Sequence, residues 1–505
     1  MTRTEDGHPT QTAVRLSAET LGSLQIPVPE YDRSAVTARI VHLGVGGFHR
    51  AHQAMYLDRL MNAGLATDWG ICGIGVLPAD SRMAEVMSAQ DCLYTLVVKH
   101  ADGRSEPRVI GSIVDYLLAP ADPDAAVERM ADPAIRIVSL TVTEGGYSFN
   151  QVTGEFDASP TAIAADLVPG AVPGTTFGLV TEALARRRAR GIAPFTVMSC
   201  DNIQGNGHLA HRVFTSFARL RDPDLAEWID TCVTFPNSMV DRITPATTDA
   251  DRDALRDEFA IADAWPVVCE PFTQWVLEDR FVQGRPPYEE AGVMVVDDVE
   301  PYELMKLRLI NASHQALCYF GYLAGYRLVP EAAGNPLFSR FLLDYMEQEA
   351  TPTLRPVPGI DLDSYRHEVI ERFSNPGVRD TIGRLCAESS DRIPKWLIPV
   401  VRDQLAAGRE VTRSAAVVAS WARYAEGVDE QGAAITIVDR LASELTAIAS
   451  NHADDDLAFL RRRDLFGDLA DQPAFTVPYR NALDRLHREG SLATLQALDG
   501  KDPGS

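Results

Sequence analysis

One apolar stretch carries a lysine, an asparagine and a histidine in the order KLRLINASH, Lys306 to His314, with Glu303 three residues before it. An α-helix advances about 100° per residue. With Lys306 as zero, Asn311 falls at about 140°, His314 at about 80° and Glu303 at about 60°, all on one side of one helix. Leu304, Leu307 and Leu309 supply apolar surface between them. These residue types suit removal of hydride from a secondary alcohol without a metal. A lysine whose pKa is depressed can take the hydroxyl proton. An asparagine amide can donate to the developing alkoxide. A histidine can hold a neighbouring hydroxyl of a polyol, and Glu303 can pass the proton to water. The competing reading is a surface helix with Glu–Lys neighbours and a capping asparagine. Four such residues on one side weigh against it.

A second constellation lies near the N-terminus. The apolar run Ile40 to Leu43 is followed by Gly44-Val45-Gly46 and an amphipathic stretch with Ala51, Met55, Tyr56 and Leu60 near one face. Strand, glycine turn and helix in this order make a dinucleotide-binding turn. The first glycine permits the turn and the second lets the backbone approach a pyrophosphate. The third glycine of GxGxxG is absent, and His49 stands in its place. A glycine-rich turn in an ordinary sheet is the plainer alternative. A second strand, Trp69 to Val76, is followed by LPADSR. Asp80 there is placed to accept from the adenosine ribose and to repel a 2′-phosphate, which favours NAD. Arg82 nearby works in the other direction.

Other polar groups follow apolar strands: Glu144 after SLTVT, Asp201 and Asn202 after FTVMS, and Asn237, Asp241 and Arg242 in FPNSMVDRITP. Strand C-terminal ends are where α/β ligand crevices form. Arg384, Arg392 and Lys395 form a cationic group further on. Each of these alone is more often a turn or solvated residue than a site. The pairs His49/His52 and His208/His211 have no cysteine close in sequence, so no catalytic zinc is expected. No GxSxG or GxxxxGK[ST] occurs, so hydrolase and NTPase readings lack support.

Strand-like runs alternate with helical ones through the first 300 residues, which argues for an α/β domain with a mainly parallel sheet. From Tyr302 onward helical patterns dominate. The boundary is set within the Pro- and Gly-bearing segment at 285–300, giving domains 1–296 and 297–505.

Composition bounds what remains. The chain has 505 residues and a net charge of -24, which argues against nucleic-acid and anionic-membrane partners. No apolar run approaches the roughly 18 residues of a membrane span. The polar N-terminus lacks the apolar core of a signal peptide. Seven scattered cysteines without a CxxC read as reduced thiols of a cytoplasmic protein.

Six segments in this order, GVGGFHRAHQA, SLTVTEGGY, FTVMSCDN, FPNSMVDRITP, WPVVCEPFTQWVLEDRF and KLRLINASH, resemble the polyol-specific long-chain dehydrogenase/reductase family. The resemblance runs from about residue 35 to about 490. It implies an expanded Rossmann-type N-terminal domain with a mainly α-helical C-terminal domain, and NAD as cofactor without zinc. It makes Lys306 the general acid/base, Asn202 and Asn311 the oxyanion donors, and Asp241, His314, Arg384 and Arg392 the partners of substrate hydroxyls. At Arg392 the family pattern has lysine. Glu144 and Glu303 become proton carriers. The cofactor-binding set is Ile40, Gly44, Val45, Gly46, Gly47, Phe48, His49, Arg50 and Ala51, with Asp80 on the ribose. Ala79 stands where the family can have an acidic residue. The expected reaction interconverts D-mannitol and D-fructose, with a small-molecule polyol or ketose as sole partner and a monomeric enzyme. Reduction of fructuronate or tagaturonate, a preference for arabinitol or sorbitol, and a non-catalytic NAD(H) sensor are the competing expectations.

Overall fold

The computed structural model describes residues 13–149 and 155–499, with the side chain of Glu144 outside that description. The chain divides into two compact units. One runs to His100 and from Arg104 to Glu300; the other runs from Pro301 onward and includes Ala101–Gly103.

The first unit is built on a wholly parallel sheet of β1 (Ala38–Leu43), β2 (Gly70–Gly75), β3 (Ile113–Leu118), β4 (Ile137–Leu140) and β5 (Thr196–Ser199). Its order is β3-β2-β1-β4-β5. The strands are near-continuous apolar runs because both faces are covered. Val41, Leu43, Ile74, Leu140 and Val197 pack into one core. Ile40, Ile71, Ile113, Ile137 and Met198 pack into the other. The strand order reverses at β1, since β2 and β4 lead away from it on opposite sides. Such a reversal opens a crevice at the carboxyl ends of the strands. Gly44 and Asn202 both follow such ends.

After β1 come α1 (Gly47–Ala51) and α2 (Gln53–Asn62), broken at His52, whose φ of -124° and ψ of -93° leave the helical region. Met55, Tyr56 and Leu60 of α2 are buried, as the periodicity predicts. A two-stranded pair, Val14–Arg15 with Ile261–Ala262, and two three-stranded sheets make up the rest of its strands. One contains Val267–Cys269, Tyr94–Lys99 and Ser105–Ile110; the other contains Met294–Val296, Gln274–Glu278 and Ser238–Asp241.

The second unit is helical, with isolated bridges as the extended pairings among its described residues. The helix α3 (Glu300–Lys306) leads into α4 (Ala312–Leu323), which is buried on nearly every side. A helix apolar all round must be covered all round, and α4 packs against Ile382–Cys386 and α5 (Thr412–Ala425). The helix α5 in turn carries α6 (Pro473–Glu489). All seven cysteines are free. Among the described residues no helix is long and apolar enough to cross a membrane.

Candidate active site

In the first unit the glycine turn closes over β4. Gly44 has φ +90°, and a Cβ there would stand 2.2 Å from the Thr141 carbonyl oxygen. That position therefore accepts no side chain. At Gly46 a Cβ would meet nothing nearer than 4.0 Å, so this backbone lies open to a ligand. The turn thus fits the close approach of a pyrophosphate.

The missing third glycine has a physical account. His49 is buried and stacks on His42 at 3.4 Å with 12° between the rings. His42 bonds Ser139 Oγ and Thr141 Oγ1, each at 2.8 Å. Thr141 gives its own proton to the Gly44 carbonyl at 2.7 Å, which puts the His42 hydrogen on Nε2. Burial holds both imidazoles neutral: it pushes His42 down to about 3 and His49 well below the ordinary range. A polar stack under the turn replaces the close helix–strand contact that glycine would give, and the helix breaks at His52.

Within the expected cofactor set, Gly46 is exposed, and Gly44, Gly47 and Phe48 are half-buried. Ile40, Val45, His49, Arg50 and Ala51 are buried and form the floor beneath. Arg50 faces inward, donating from Nη1 to the Trp265 carbonyl.

Asp80 closes a 3-10 turn after β2. Its Oδ2 accepts from the Val76 and Leu77 N–H groups, each at 2.8 Å, leaving Oδ1 for another donor. Arg82 lies over the Trp265 ring at 4.9 Å.

At the end of β5, Asp201 is buried while Asn202 beside it is exposed. Asp201 accepts from the Thr143 N–H at 2.8 Å, the Val142 N–H at 3.2 Å and the Tyr147 hydroxyl at 2.7 Å. It therefore anchors the segment on which Glu144 stands, where Thr143 and Ser148 have φ of 64° and 42°. Such left-handed non-glycine residues persist only when neighbours fix them. Asp241 ends the strand Ser238–Asp241, paired with Gln274 and buried. Asn237 and Arg242 are structural. Asn237 accepts from the Gly207 N–H and donates to Glu278, and Arg242 donates to the Glu270 and Ala51 carbonyls.

In the second unit the lysine segment departs from the expected α-helix. Leu307–Asn311 is a π turn, with the Ala312 N–H bonded to the Leu307 carbonyl five residues back. A π turn spends about one more residue per turn, or about 80° per residue. Asn311 then falls at about 40° from Lys306, and His314 at about 340°. With Glu303 the four residues occupy an arc of about 80°, where a plain α-helix spreads them over about 140°. The π turn aligns the residues that five-residue spacing alone would have splayed.

The turn is held by tertiary contacts. The Tyr345 hydroxyl donates to the Arg308 carbonyl at 3.3 Å. Arg308 donates to the Thr353 carbonyl at 2.9 Å and to Asp403 at 2.7 Å. A second π turn, Met346–Ala350, packs against the first. No signal in the sequence marks Tyr345, which lies 34 residues beyond Asn311.

Glu303, Lys306 and Asn311 are all buried, at 6%, 7% and 5% exposure. The Asn311 amide nitrogen has no hydrogen-bond partner among the described residues. A buried donor left so costs about 1–3 kcal/mol, a cost that an incoming oxygen anion removes. His314 stacks on Phe373 at 4.2 Å. Arg384 is exposed and ion-paired to the buried Asp380, with Nε–Oδ1 at 2.7 Å. Burial raises the Asp380 pKa, and the Arg384 guanidinium outweighs it, so the carboxyl stays below its ordinary range. Arg392 gives Nη1 to the Arg384 and Leu385 carbonyls and lies over Trp396 at 5.6 Å.

Comparison with known proteins matches both units. Residues 38–290 match the family model described as the mannitol dehydrogenase Rossmann domain, and residues 298–487 match the mannitol dehydrogenase C-terminal domain. The chain is 45% identical over 489 residues to a mannitol 2-dehydrogenase of Pyrenophora tritici-repentis, spanning 96% of this chain and 86% of that one. The structure of Pseudomonas fluorescens mannitol 2-dehydrogenase, a ternary complex with NAD and D-mannitol, matches with a TM-score of 0.89 and 45% identity. That match covers 97% of this chain and all (100%) of the other. A D-sorbitol dehydrogenase in substrate-free form matches with a TM-score of 0.86 and 39% identity over 95% of this chain and 100% of its own.

Proposed function

The chain belongs to the mannitol dehydrogenase family, and from that premise we propose that it is a metal-independent, NAD-dependent oxidoreductase interconverting D-mannitol and D-fructose. The observation that carries the reading is the π turn, which puts Lys306, Asn311 and His314 on one narrow face with a buried amide donor unspent.

NAD, when bound, would supply the acceptor for the hydride that leaves C2 of the polyol. Gly44, Gly46, Gly47 and Phe48 form its pyrophosphate turn, over the floor of Ile40, Val45, His49, Arg50 and Ala51, and Asp80 Oδ1 takes the ribose hydroxyl. Lys306 removes the C2 hydroxyl proton in oxidation and returns it in reduction. Asn202 and Asn311 donate to the oxygen as charge develops on it. His314, Asp241, Arg384 and Arg392 hold the remaining hydroxyls. Glu303 and Glu144 carry the proton between Lys306 and solvent. We place the enzyme in the cytoplasm as a monomer.

A carboxylate-bearing sugar is the weaker alternative. It asks for an uncompensated cation at the sugar end: Arg384 is already ion-paired to Asp380, so that role would fall to Arg392, whose Nη1 donates to two backbone carbonyls, or to Lys395. NADH oxidation with D-fructose, D-fructuronate and L-sorbose side by side tests this. Fast turnover of fructose, unchanged by a chelator, is the expected result. Preference for fructuronate would reassign the substrate, and loss of turnover with chelator would remove the lysine mechanism.

Cofactor choice has its own test. Asp80→Asn keeps an acceptor for the Val76 and Leu77 N–H groups but removes the charge that repels a 2′-phosphate. The ratio of kcat/KM for NADP over NAD is expected to rise about tenfold, equivalent to about 1.4 kcal/mol. An unchanged ratio would place the ribose carboxylate elsewhere.

A further inference from the structure

Asp380 is a buried carboxylate of the helical unit to which the mechanism above gives no role of its own. Its backbone is fixed in both directions. The Asp380 N–H donates to the Val378 carbonyl at 2.9 Å, and its carbonyl accepts from the Val329 N–H at 2.9 Å. The bridge between Leu328 and Thr381 ties the same segment to the stretch that follows α4. Thr381 then caps the helix Ile382–Cys386, its hydroxyl accepting from the Arg384 N–H at 3.4 Å. The carboxylate therefore stands at a set place, at the start of the helix that carries Arg384.

Two groups of the site act on that carboxylate. Arg384 meets it as a fork: Nε donates to Oδ1 at 2.7 Å and Nη2 donates to Oδ2. Oδ1 also accepts from the Thr381 N–H at 2.9 Å. A two-pronged pair fixes the plane of the guanidinium. Of the five N–H groups that arginine carries, two are spent on Asp380 and three are left for a ligand. His314 acts on the same carboxylate. Burial raises the Asp380 carboxyl, and Arg384 first and His314 after it bring it below its ordinary range. Asp380 is thus ionised at neutral pH and balances Arg384 one for one.

The consequence is one of charge. An arginine alone draws an anion. An arginine paired to a carboxylate offers donors without net charge, which suits a hydroxyl. A sugar carboxylate brought to the same N–H groups would also feel the Asp380 carboxylate behind them. That repulsion is weakly screened because Asp380 lies inside the protein. A like charge set against the wrong ligand is one way a site rejects it.

We propose that Asp380 is a positioning residue that sets the choice between neutral and anionic ketoses, by aiming the Arg384 guanidinium at a substrate hydroxyl and cancelling its charge. The proposal rests on the polyol reading above, in which Arg384 meets the substrate.

The test compares kcat/KM for D-fructose and D-fructuronate in the full-length enzyme and three variants. Inhibition of D-mannitol oxidation by D-mannonate, mannitol with one terminal carbon as a carboxylate, gives the same comparison where fructuronate turnover is too slow to read. Asp380→Asn keeps the shape and an acceptor for the Thr381 N–H but leaves Arg384 charged. The ratio of fructuronate to fructose is expected to rise at least about tenfold, with the loss on fructose mainly in KM. Arg384→Gln leaves the Asp380 charge bare, and the ratio should fall by a similar factor. Asp380→Asn combined with Arg384→Gln restores the balance and should return the ratio to within about threefold of the parent. An ion pair kept for the fold alone would lower Tm and leave the ratio where it was. Should Asp380→Asn fail to fold, the fall in Arg384→Gln and its reversal in the double variant carry the test. An unchanged ratio in Asp380→Asn, or a double variant no closer to the parent than Arg384→Gln alone, would overturn the proposal. The parent's own ranking of the two ketoses tests the mannitol reading separately, since each change of ratio is read relative to the parent.

Discussion

Lys306→Ala is expected to lower kcat in both directions by about 100- to 10,000-fold, the usual worth of a positioned general acid/base. NADH affinity, read by fluorescence titration, should stay within a factor of about two, since the glycine turn and Asp80 belong to the other unit. The argument rests on the burial of Lys306 and on its place at the start of the π turn. Lys306→Arg separates base from bare charge. A guanidinium stays protonated at any working pH and cannot take the hydroxyl proton. If Lys306 serves only as a positive charge, the arginine variant recovers turnover. If it is the base, the arginine variant stays as slow as alanine. The pH dependence gives a second check: the rise of oxidation rate with pH in the parent enzyme reports the base losing its proton, and it should disappear from both variants. Normal turnover in Lys306→Ala would assign the base to another residue.

Much of the architecture is legible because it follows from local pattern. The run Ile40–Leu43 and the glycines after it force a strand and a tight turn, and the change to helical periodicity near residue 300 reflects two kinds of core. The match to the mannitol dehydrogenase models bears out the family that the six motifs pointed to. What stays hidden depends on partners distant in the chain. The α-helical angles for Lys306, Asn311 and His314 put them on one side but misplace Asn311 by about 100°. The π turn that corrects this is held by Tyr345 and by a second π turn, neither of which the local sequence announces. The motif around Arg50 reads as ligand-facing throughout, yet its guanidinium is spent on Trp265. Arg384 reads as a spare cation, and the exception was four residues away in Asp380.

Asn311→Leu is expected to cost about 100- to 1,000-fold in kcat, the range for losing one oxyanion donor. Leucine keeps the branched shape and the number of side-chain heavy atoms and removes both donor and acceptor. The buried amide nitrogen of Asn311 has no hydrogen-bond partner among the described residues. The ground-state fold therefore loses little when that nitrogen goes. Tm should hold or rise slightly, because an unsatisfied buried donor is itself destabilising. Stability sacrificed for activity is what a residue kept for a transition state should show. Losses in kcat and in kcat/KM should be equal, since the bond strengthens only as charge grows on the oxygen. Asn311→Asp should be slower than leucine, because a carboxylate would face the developing alkoxide. Combining Asn311→Leu with Asn202→Leu should cost less than the product of the single losses if the two amides serve one oxygen. A raised KM at constant kcat would make Asn311 an ordinary binding residue. A Tm lowered by several degrees would make it a structural one, and the unspent donor would then need another explanation.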